Sequence, residues 1–191
     1  MRLFVALEIP AAVRDNLAAF LKDLRNLSDQ LAEKHVRWLP PENLHVTLKF
    51  IGEVAPQKLD GIRATLATVR ANEPLDLRFH RLGFFPNENR PTVFWTALEA
   101  SANLPTLAGD IDRALEPQGI AREKRAFAPH LTLARFAAPV RHEKLRAAIQ
   151  KSREREFGRF QAREFHLIES KLKPSGAEYT TLYSFPLVAA S

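Results

Sequence analysis

Two segments of the chain repeat one short pattern, and their histidines, His45 and His130, lie 85 residues apart. The first segment reads Pro41-Glu42-Asn43-Leu44-His45-Val46-Thr47-Leu48, and the second reads Ala128-Pro129-His130-Leu131-Thr132-Leu133. Around each segment, the apolar residues follow the same order of strand, helix, strand, helix, strand. Two copies are too few for a solenoid. The doubling therefore predicts a duplicated α+β fold with two lobes.

Hydrophobic periodicity locates the individual elements. Alternation of apolar and polar residues predicts strands, and apolar residues at spacings of three and four predict amphipathic helices. The predicted strands cover Arg2–Glu8, Asn43–Ile51, Leu75–Phe79, Thr92–Leu98, His130–Phe136, Phe165–Leu172 and Tyr179–Leu187. The predicted helices cover Val13–Leu31, Leu59–Val69, Leu104–Leu115 and Val140–Ile149. The segment Arg81–Pro91 contains a glycine and two prolines, which predict a loop.

The composition is that of an ordinary globular protein, with 46% hydrophobic and 26% charged residues among 191. This length predicts a single bilobal domain spanning residues 1–191. No apolar run is long enough for a membrane helix, and the N-terminal segment does not read as a signal peptide, so we expect a cytoplasmic protein. The absence of cysteine excludes disulfides, zinc ribbons, iron–sulfur clusters and thiol nucleophiles. A net charge of +6 favours an anionic partner such as nucleic acid.

The shared His-x-Thr triplet carries the candidate chemistry. Six histidines and nine threonines in 191 residues give about 0.3 such triplets by chance, whereas the chain has two. Residues i and i+2 of a strand share a face, so His45 lies beside Thr47 and His130 lies beside Thr132. Two facing pairs supply one imidazole to take a proton and one to give a proton, with hydroxyls for the phosphate oxygens. That set suits phosphodiester chemistry without a metal or a cofactor.

The two segments that contain these triplets resemble those of a known family. Leu44-His45-Val46-Thr47-Leu48-Lys49-Phe50-Ile51-Gly52 and Pro129-His130-Leu131-Thr132-Leu133-Ala134-Arg135 look like the paired HxT motifs of the 2H phosphoesterase superfamily. More narrowly, the chain resembles the RNA 2′,3′-cyclic phosphodiesterases, historically called 2′-5′ RNA ligases. The likeness extends to the opening Arg2–Pro10, to Gly83-Phe84-Phe85-Pro86, Arg90-Pro91 and Trp95, and to Ser170, Leu172, Gly176 and Tyr179.

The resemblance implies two pseudo-symmetric lobes, each with an antiparallel sheet and outer helices, around a cleft lined by the HxT strands. It implies hydrolysis of the 2′,3′-cyclic phosphate ends of RNA to 2′-phosphates. Separately, we expect a monomer. The family's catalytic histidines fall on His45 and His130, and its phosphate-contacting residues fall on Thr47, Thr132 and Arg135. We take His45 as the acid and His130 as the base, although the residues leave the reverse open. The same chemistry run backwards would join RNA ends through a 2′-5′ bond without ATP.

Two positions conflict with strict alternation along these strands. Alternation places Arg135 on the apolar face with Leu131 and Leu133, which would bury a guanidinium. Because the resemblance gives Arg135 a phosphate-contacting position, we predict a twist, strand end or bulge near Ala134. The two lines of reasoning also disagree on Phe50. The resemblance suggests a substrate-binding position where a nucleobase stacks on the ring, whereas alternation favours packing of the ring in the core. Alternation also groups Lys49 with His45 on the motif's polar face.

Other readings of the chain are weaker. A non-catalytic RNA-binding module with a phosphate-binding cleft is the alternative function, and the intact His and Thr of both motifs argue against it. The basic stretch Arg122–Arg125 either steers RNA phosphates or forms a solvated loop. The tetrapeptide Lys58-Leu59-Asp60-Gly61 matches the adenylation motif of ATP-dependent ligases, but it lies within a predicted amphipathic helix, and nothing else in the chain supports that reading.

Overall fold

The structure is a computed structural model that describes residues 1–31, 35–71, 73–137, 143–174 and 176–188. In chain order its main elements are β1 (Arg2–Glu8), α1 (Ala11–Gln30), β2 (Val36–Trp38), β3 (His45–Glu53), α2 (Leu59–Leu66), β4 (Leu75–Phe85), β5 (Val93–Ala100), α3 (Asn103–Leu115), β6 (His130–Phe136), α4 (Glu143–Lys151), β7 (Glu156–Ala162), β8 (Glu164–Lys173) and β9 (Gly176–Pro186). The predicted α+β fold is confirmed.

These strands form two antiparallel sheets. The first sheet has the order β3-β1-β8-β9, and the second has the order β2-β6-β5-β4-β7. Each HxT strand therefore pairs with the strand that opens its half of the chain, β3 with β1 and β6 with β5. The two motif strands therefore have equivalent partners, as the repeated sequence pattern predicts.

The two lobes do not coincide with the two halves of the chain. Strands β8 and β9 come from the second half but complete the first sheet, while β2 and β4 come from the first half but lie in the second sheet. Both lobes therefore contain residues from both halves. One apolar core includes buried residues of both sheets, and its described members include Val13, Leu17, Phe20 and Leu21 of α1. No helix among the described residues is long and apolar enough to cross a membrane.

Some predicted boundaries were wrong. Strand β4 continues to Phe85, through the first five residues of the segment predicted as the loop Arg81–Pro91. A register shift between His80 and Leu82 changes the alternation, and beyond it Leu82 and Phe84 are buried. Strands β2 and β7 were not predicted, the first being only three residues long. The predicted helix Val140–Ile149 is found as α4, and its first three positions lie outside the described residues.

Candidate active site

The two motif histidines are held in the same way. Nδ1 of His45 lies 2.8 Å from the carbonyl oxygen of Asn43, and Nδ1 of His130 lies 2.8 Å from the carbonyl oxygen of Ala128. A carbonyl can only accept, so each Nδ1–H donates to the residue two positions upstream when the ring is neutral. This bond assigns the remaining lone pair to Nε2 in both rings. Each Nε2 is then the nitrogen that exchanges protons.

The turn before β3 explains how Asn43 reaches this position. Pro40 and Pro41 open a 3₁₀ turn, closed by the Asn43 amide donating to the Pro40 carbonyl at 2.9 Å. The Asn43 side chain then donates from Nδ2 to the carbonyl of Ala177 on β9 at 2.8 Å. One residue thus orients His45 through its backbone and fastens the turn to the first sheet through its amide.

Each HxT strand contains a β-bulge directly after its threonine. In β3, Val5 pairs with Lys49 and Ala6 pairs with Thr47, which leaves Leu48 unpaired. In β6, Phe94 pairs with Ala134 and Trp95 pairs with Thr132, which leaves Leu133 unpaired. A bulge adds one residue to a strand and shifts the alternation of side chains beyond it. The irregularity predicted near Ala134 is confirmed.

The bulges decide which face the following residues occupy. Ala134 is fully buried and Arg135 is exposed, so the guanidinium escapes the apolar core. In β3 the equivalent residues are Lys49, which is buried, and Phe50, which is 57% exposed. The prediction that Lys49 shares a face with His45 is wrong, because the bulge at Leu48 was not foreseen.

The packing of Phe50 in the core, which alternation favoured, is also wrong. Its ring centroid lies 6.4 Å from that of Phe4, and the Phe4 ring lies 4.7 Å from the ring of His45. Phe50 is therefore on the same side of the sheet as the motif histidine. Relative to the two motifs, Phe50 and Arg135 occupy equivalent positions, so one motif is followed by an exposed aromatic ring and the other by an exposed cation.

Aromatic rings support both histidines, although the sequence reading gave these rings no role in the site. Tyr179 of β9 meets His45 edge-on at 5.2 Å and also contacts Phe4 at 5.1 Å, so the three rings form one cluster. Phe85 meets His130 edge-on at 5.0 Å and itself packs on Trp95. Such contacts restrict the orientation of an imidazole. Only their presence in the family-like segments marked these residues in the sequence.

Gly83 makes room for the Trp95 ring, on which Phe85 packs. It pairs with Trp95 across β4 and β5, and a methyl group built on Gly83 would lie 2.4 Å from the Trp95 ring. Any side chain at position 83 would therefore displace the indole. That displacement would also disturb Phe85, which packs against both Trp95 and His130.

The two motif strands contact one another directly across the lobes. The charge of Arg135, on β6, also acts on His45, on β3. Together these observations place the two motif strands next to each other. Within the described ranges, no group of three or more His, Asp or Glu side chains is arranged to hold a metal ion.

His45 has a strongly perturbed pKa. Burial of the ring disfavours the imidazolium and is the largest cause, the hydrogen bond to Asn43 acts in the opposite direction, and the positive charge of Arg135 adds to the lowering. Together these three effects lower the pKa of His45 from 6.5 to about 4. In the unliganded protein at pH 7, His45 is therefore neutral.

Lys49 ties the first motif strand to the loop that precedes the second motif. Its buried Nζ donates to Asp112 Oδ1 at 2.5 Å and to the Ala121 carbonyl at 2.7 Å. Asp112 also accepts the Glu123 amide at 3.1 Å. Burial alone would raise the pKa of the Asp112 carboxyl, but the hydrogen bonds from Lys49 and the Glu123 amide hold that pKa below its usual value. Arg122 joins the same carboxylate, with Nε 3.4 Å from Oδ2.

Comparison with known proteins agrees with this fold. Residues 13–174 match the family model of the 2′-5′ RNA ligase superfamily. An RNA 2′,3′-cyclic phosphodiesterase of Archaeoglobus fulgidus is 34% identical over 97% of this chain and 99% of its own length. The corresponding protein of Methanocaldococcus jannaschii is 33% identical over 95% of this chain and 98% of its own length.

Solved structures show the same architecture. A protein of Thermus thermophilus superimposes with a TM-score of 0.78 at 31% identity, covering 98% of both chains. E. coli LigT, solved as a complex with 3′-AMP, superimposes with a TM-score of 0.76 at 24% identity, also over 98% of both chains. The fold and the paired histidine strands thus define a two-lobed α+β protein of the phosphoesterase type. The chain belongs to the 2′-5′ RNA ligase superfamily.

Proposed function

We propose that this protein hydrolyses the 2′,3′-cyclic phosphate end of RNA to a 2′-phosphate, using two histidines and neither a metal nor a cofactor. The observation that carries the proposal is the matched anchoring of His45 and His130, each with Nδ1 bound to a carbonyl two residues upstream. Two equivalent imidazoles on contacting strands are what in-line displacement at phosphorus needs. The names of the curated relatives, RNA 2′,3′-cyclic phosphodiesterases, support the same substrate.

In the proposed reaction, a water oxygen bonds to phosphorus while the bond from phosphorus to the 3′ oxygen breaks. His130 Nε2 takes a proton from the water, and His45 Nε2 gives a proton to the departing 3′ oxygen. The products are a 3′-hydroxyl and a 2′-phosphate. Thr47 and Thr132 donate hydrogen bonds to the non-bridging oxygens, and Arg135 balances the charge that these oxygens gain in the transition state.

The low pKa of His45 sets a condition on this assignment. A ring with a pKa of about 4 carries no proton to give at pH 7, so His45 acts as the acid only if the substrate brings its pKa up. The cyclic phosphate is an anion, and an anion beside an imidazole favours the charged form. Proton uptake with substrate is therefore part of the proposal. The reverse assignment, with His45 as base, needs no such uptake.

Phe50 is proposed to hold the base of the terminal nucleotide. Its ring is largely exposed and lies on the side of the sheet that carries His45 and Phe4. An exposed aromatic ring binds any nucleobase by stacking, with a contribution of roughly 1 to 3 kcal/mol per base. The position would therefore contribute affinity with little base preference.

We also propose that the same site joins RNA ends by the same displacement with a different nucleophile. An RNA 5′-hydroxyl in the place of water would attack the cyclic phosphate and form a 2′-5′ phosphodiester without ATP. The acid and base keep their roles, because only the nucleophile differs. We further propose that the protein works as a cytoplasmic monomer.

Turnover of an RNA oligonucleotide ending in a 2′,3′-cyclic phosphate, measured in EDTA, tests the proposal. The expected product carries a 2′-phosphate and a free 3′-hydroxyl, which co-elution with synthetic 2′-phosphorylated and 3′-phosphorylated standards identifies. The alternative of a non-catalytic RNA-binding module predicts binding of the oligonucleotide with no product. A 3′-phosphate product would also contradict the proposed reaction.

A further inference from the structure

Arg37, which the sequence reading did not single out, stands directly beside Arg135. The two residues are register partners between β2 and β6. Partners in a sheet share a face, so Arg37 lies on the face of Arg135 and both side chains are exposed. Its neighbours Val36 and Trp38 point the other way and pack against the core. The short strand β2 thus adds a second cation next to the one that follows the second motif.

The Arg37 guanidinium reaches from the second sheet toward the first. A methyl group built on Gly176, the first residue of β9, would lie 3.7 Å from Nη2 of Arg37. Strand β9 also carries Tyr179, which contacts His45. Arg37 therefore lies where the second motif strand and the strand supporting the first histidine come together.

Neither arginine is neutralised by a residue that the structure describes. In the described part of the chain, no ion pair or hydrogen bond joins the side chain of Arg37 or Arg135 to another group. Two lysines of β8, by contrast, have acidic partners. Lys171 lies 3.2 Å from Glu169, and Lys173 pairs with Glu178. Like charges directly opposite each other destabilise a sheet. Two adjacent unpaired guanidiniums are best accounted for by a ligand that brings anionic groups to both of them.

We propose that Arg37 binds a second phosphate of the substrate, the one on the 5′ side of the terminal nucleotide. The inference rests on the proposed function, in which Arg135 serves the cyclic phosphate itself. Any other phosphate of such an RNA lies upstream, because the cyclic phosphate forms its 3′ end. Arg37 thus makes the enzyme prefer a terminal nucleotide that is joined to a preceding nucleotide or carries a 5′-phosphate.

Two matched substrates isolate this contact. Adenosine 2′,3′-cyclic phosphate with a 5′-hydroxyl is compared with the same compound carrying a 5′-phosphate. For the unmodified enzyme we expect kcat/KM to be about tenfold or more higher with the 5′-phosphate, the size expected of one charge-assisted hydrogen-bonded contact. For Arg37→Gln we expect a loss at least fivefold greater on the 5′-phosphorylated compound than on the other.

Arg159→Gln is the matched control. Arg159 is an exposed arginine on β7, the opposite edge strand of the same sheet, so its replacement changes net charge equally. This variant should keep the preference for the 5′-phosphate, and Arg37→Lys should keep part of it. Equal losses on both substrates, or no loss in Arg37→Gln, would overturn the proposal.

A binding measurement separates failure of the subsite from failure of the proposed function. If the unmodified protein hydrolyses neither compound, the proposed function fails. A fluorescein-labelled trinucleotide with internal phosphates is then titrated at several salt concentrations. Arg37→Gln should weaken binding and reduce the slope of log K against log salt by about 0.7. The same slope for Arg37→Gln, Arg159→Gln and the unmodified protein would contradict the subsite.

Discussion

At the scale of single residues, the lowered pKa of His45 makes the stability of the protein depend on pH, which can be measured without substrate. An ordinary histidine of the unfolded chain has a pKa of 6.5, whereas the folded protein lowers it to about 4. Between these pH values, the unfolded chain binds a proton at position 45 that the folded protein does not. The free energy of unfolding therefore rises with pH through this window, and the stability is lost as pH falls from about 6.5 to 4.

We predict that His45→Gln removes most of this pH dependence. The lowered pKa corresponds to about 3 kcal/mol between pH 7 and pH 4. Urea denaturation of both proteins at several pH values, in buffers without phosphate, measures the difference. Curves that stay parallel from pH 7 to pH 4 would show that His45 is not buried as described.

The roles of the two histidines are separable with a changed leaving group. A cyclic substrate with sulfur in place of the 3′ oxygen releases a thiolate, which departs without needing a proton. If His45 is the acid, His45→Ala should recover most of its lost rate on this substrate, while His130→Ala should not. Single-turnover rates on the oxygen and sulfur substrates make the comparison. Recovery in His130→Ala alone would reverse the assignment.

At the scale of elements, alternation predicted the two motif strands correctly up to each threonine. It placed His45 beside Thr47 and His130 beside Thr132 on one face, and the burial of the intervening Val46 and Leu131 agrees. Beyond that point it failed in β3, because a bulge leaves no mark in a pattern of apolar and polar residues. In β6 the bulge was predictable because the resemblance gives Arg135 a phosphate-contacting position and a guanidinium is costly to bury.

The bulge in β3 also creates the buried ion pair of Lys49 and Asp112. We predict that Lys49→Met destabilises the protein by about 3 kcal/mol, because it leaves the Asp112 carboxylate partly buried without its closest cation. Urea denaturation measures the change. Lys49→Met combined with Asp112→Leu should recover part of the loss, since no unpaired charge then remains. A double variant that loses the sum of two large single losses would contradict this account of the pair.

At the scale of the whole molecule, the exchange of strands between the halves could not be read from the sequence. The repeated order of elements suggested two lobes, but neither spacing nor periodicity shows that β8 and β9 complete the first sheet. Sheet partners of distant strands depend on packing across the core. The physical consequence is that neither half of the chain can complete a sheet alone.

We therefore predict that both lobes unfold in one cooperative transition. Trp38 and Trp95 lie in the second sheet, so tryptophan fluorescence reports that lobe, while far-ultraviolet circular dichroism reports the whole molecule. The two signals should share one midpoint in urea. A fluorescence transition clearly separated from the circular dichroism transition would show lobes that unfold independently.

The central claim is that two imidazoles, one from each motif, act on one phosphorus atom. The most direct test is the single-turnover rate of His45→Ala and His130→Ala on an RNA with a 2′,3′-cyclic phosphate end, with circular dichroism confirming the fold. Loss of a general acid or base should lower the rate by a factor of roughly 10² to 10⁴ in each variant. Full activity in either variant would contradict the claim.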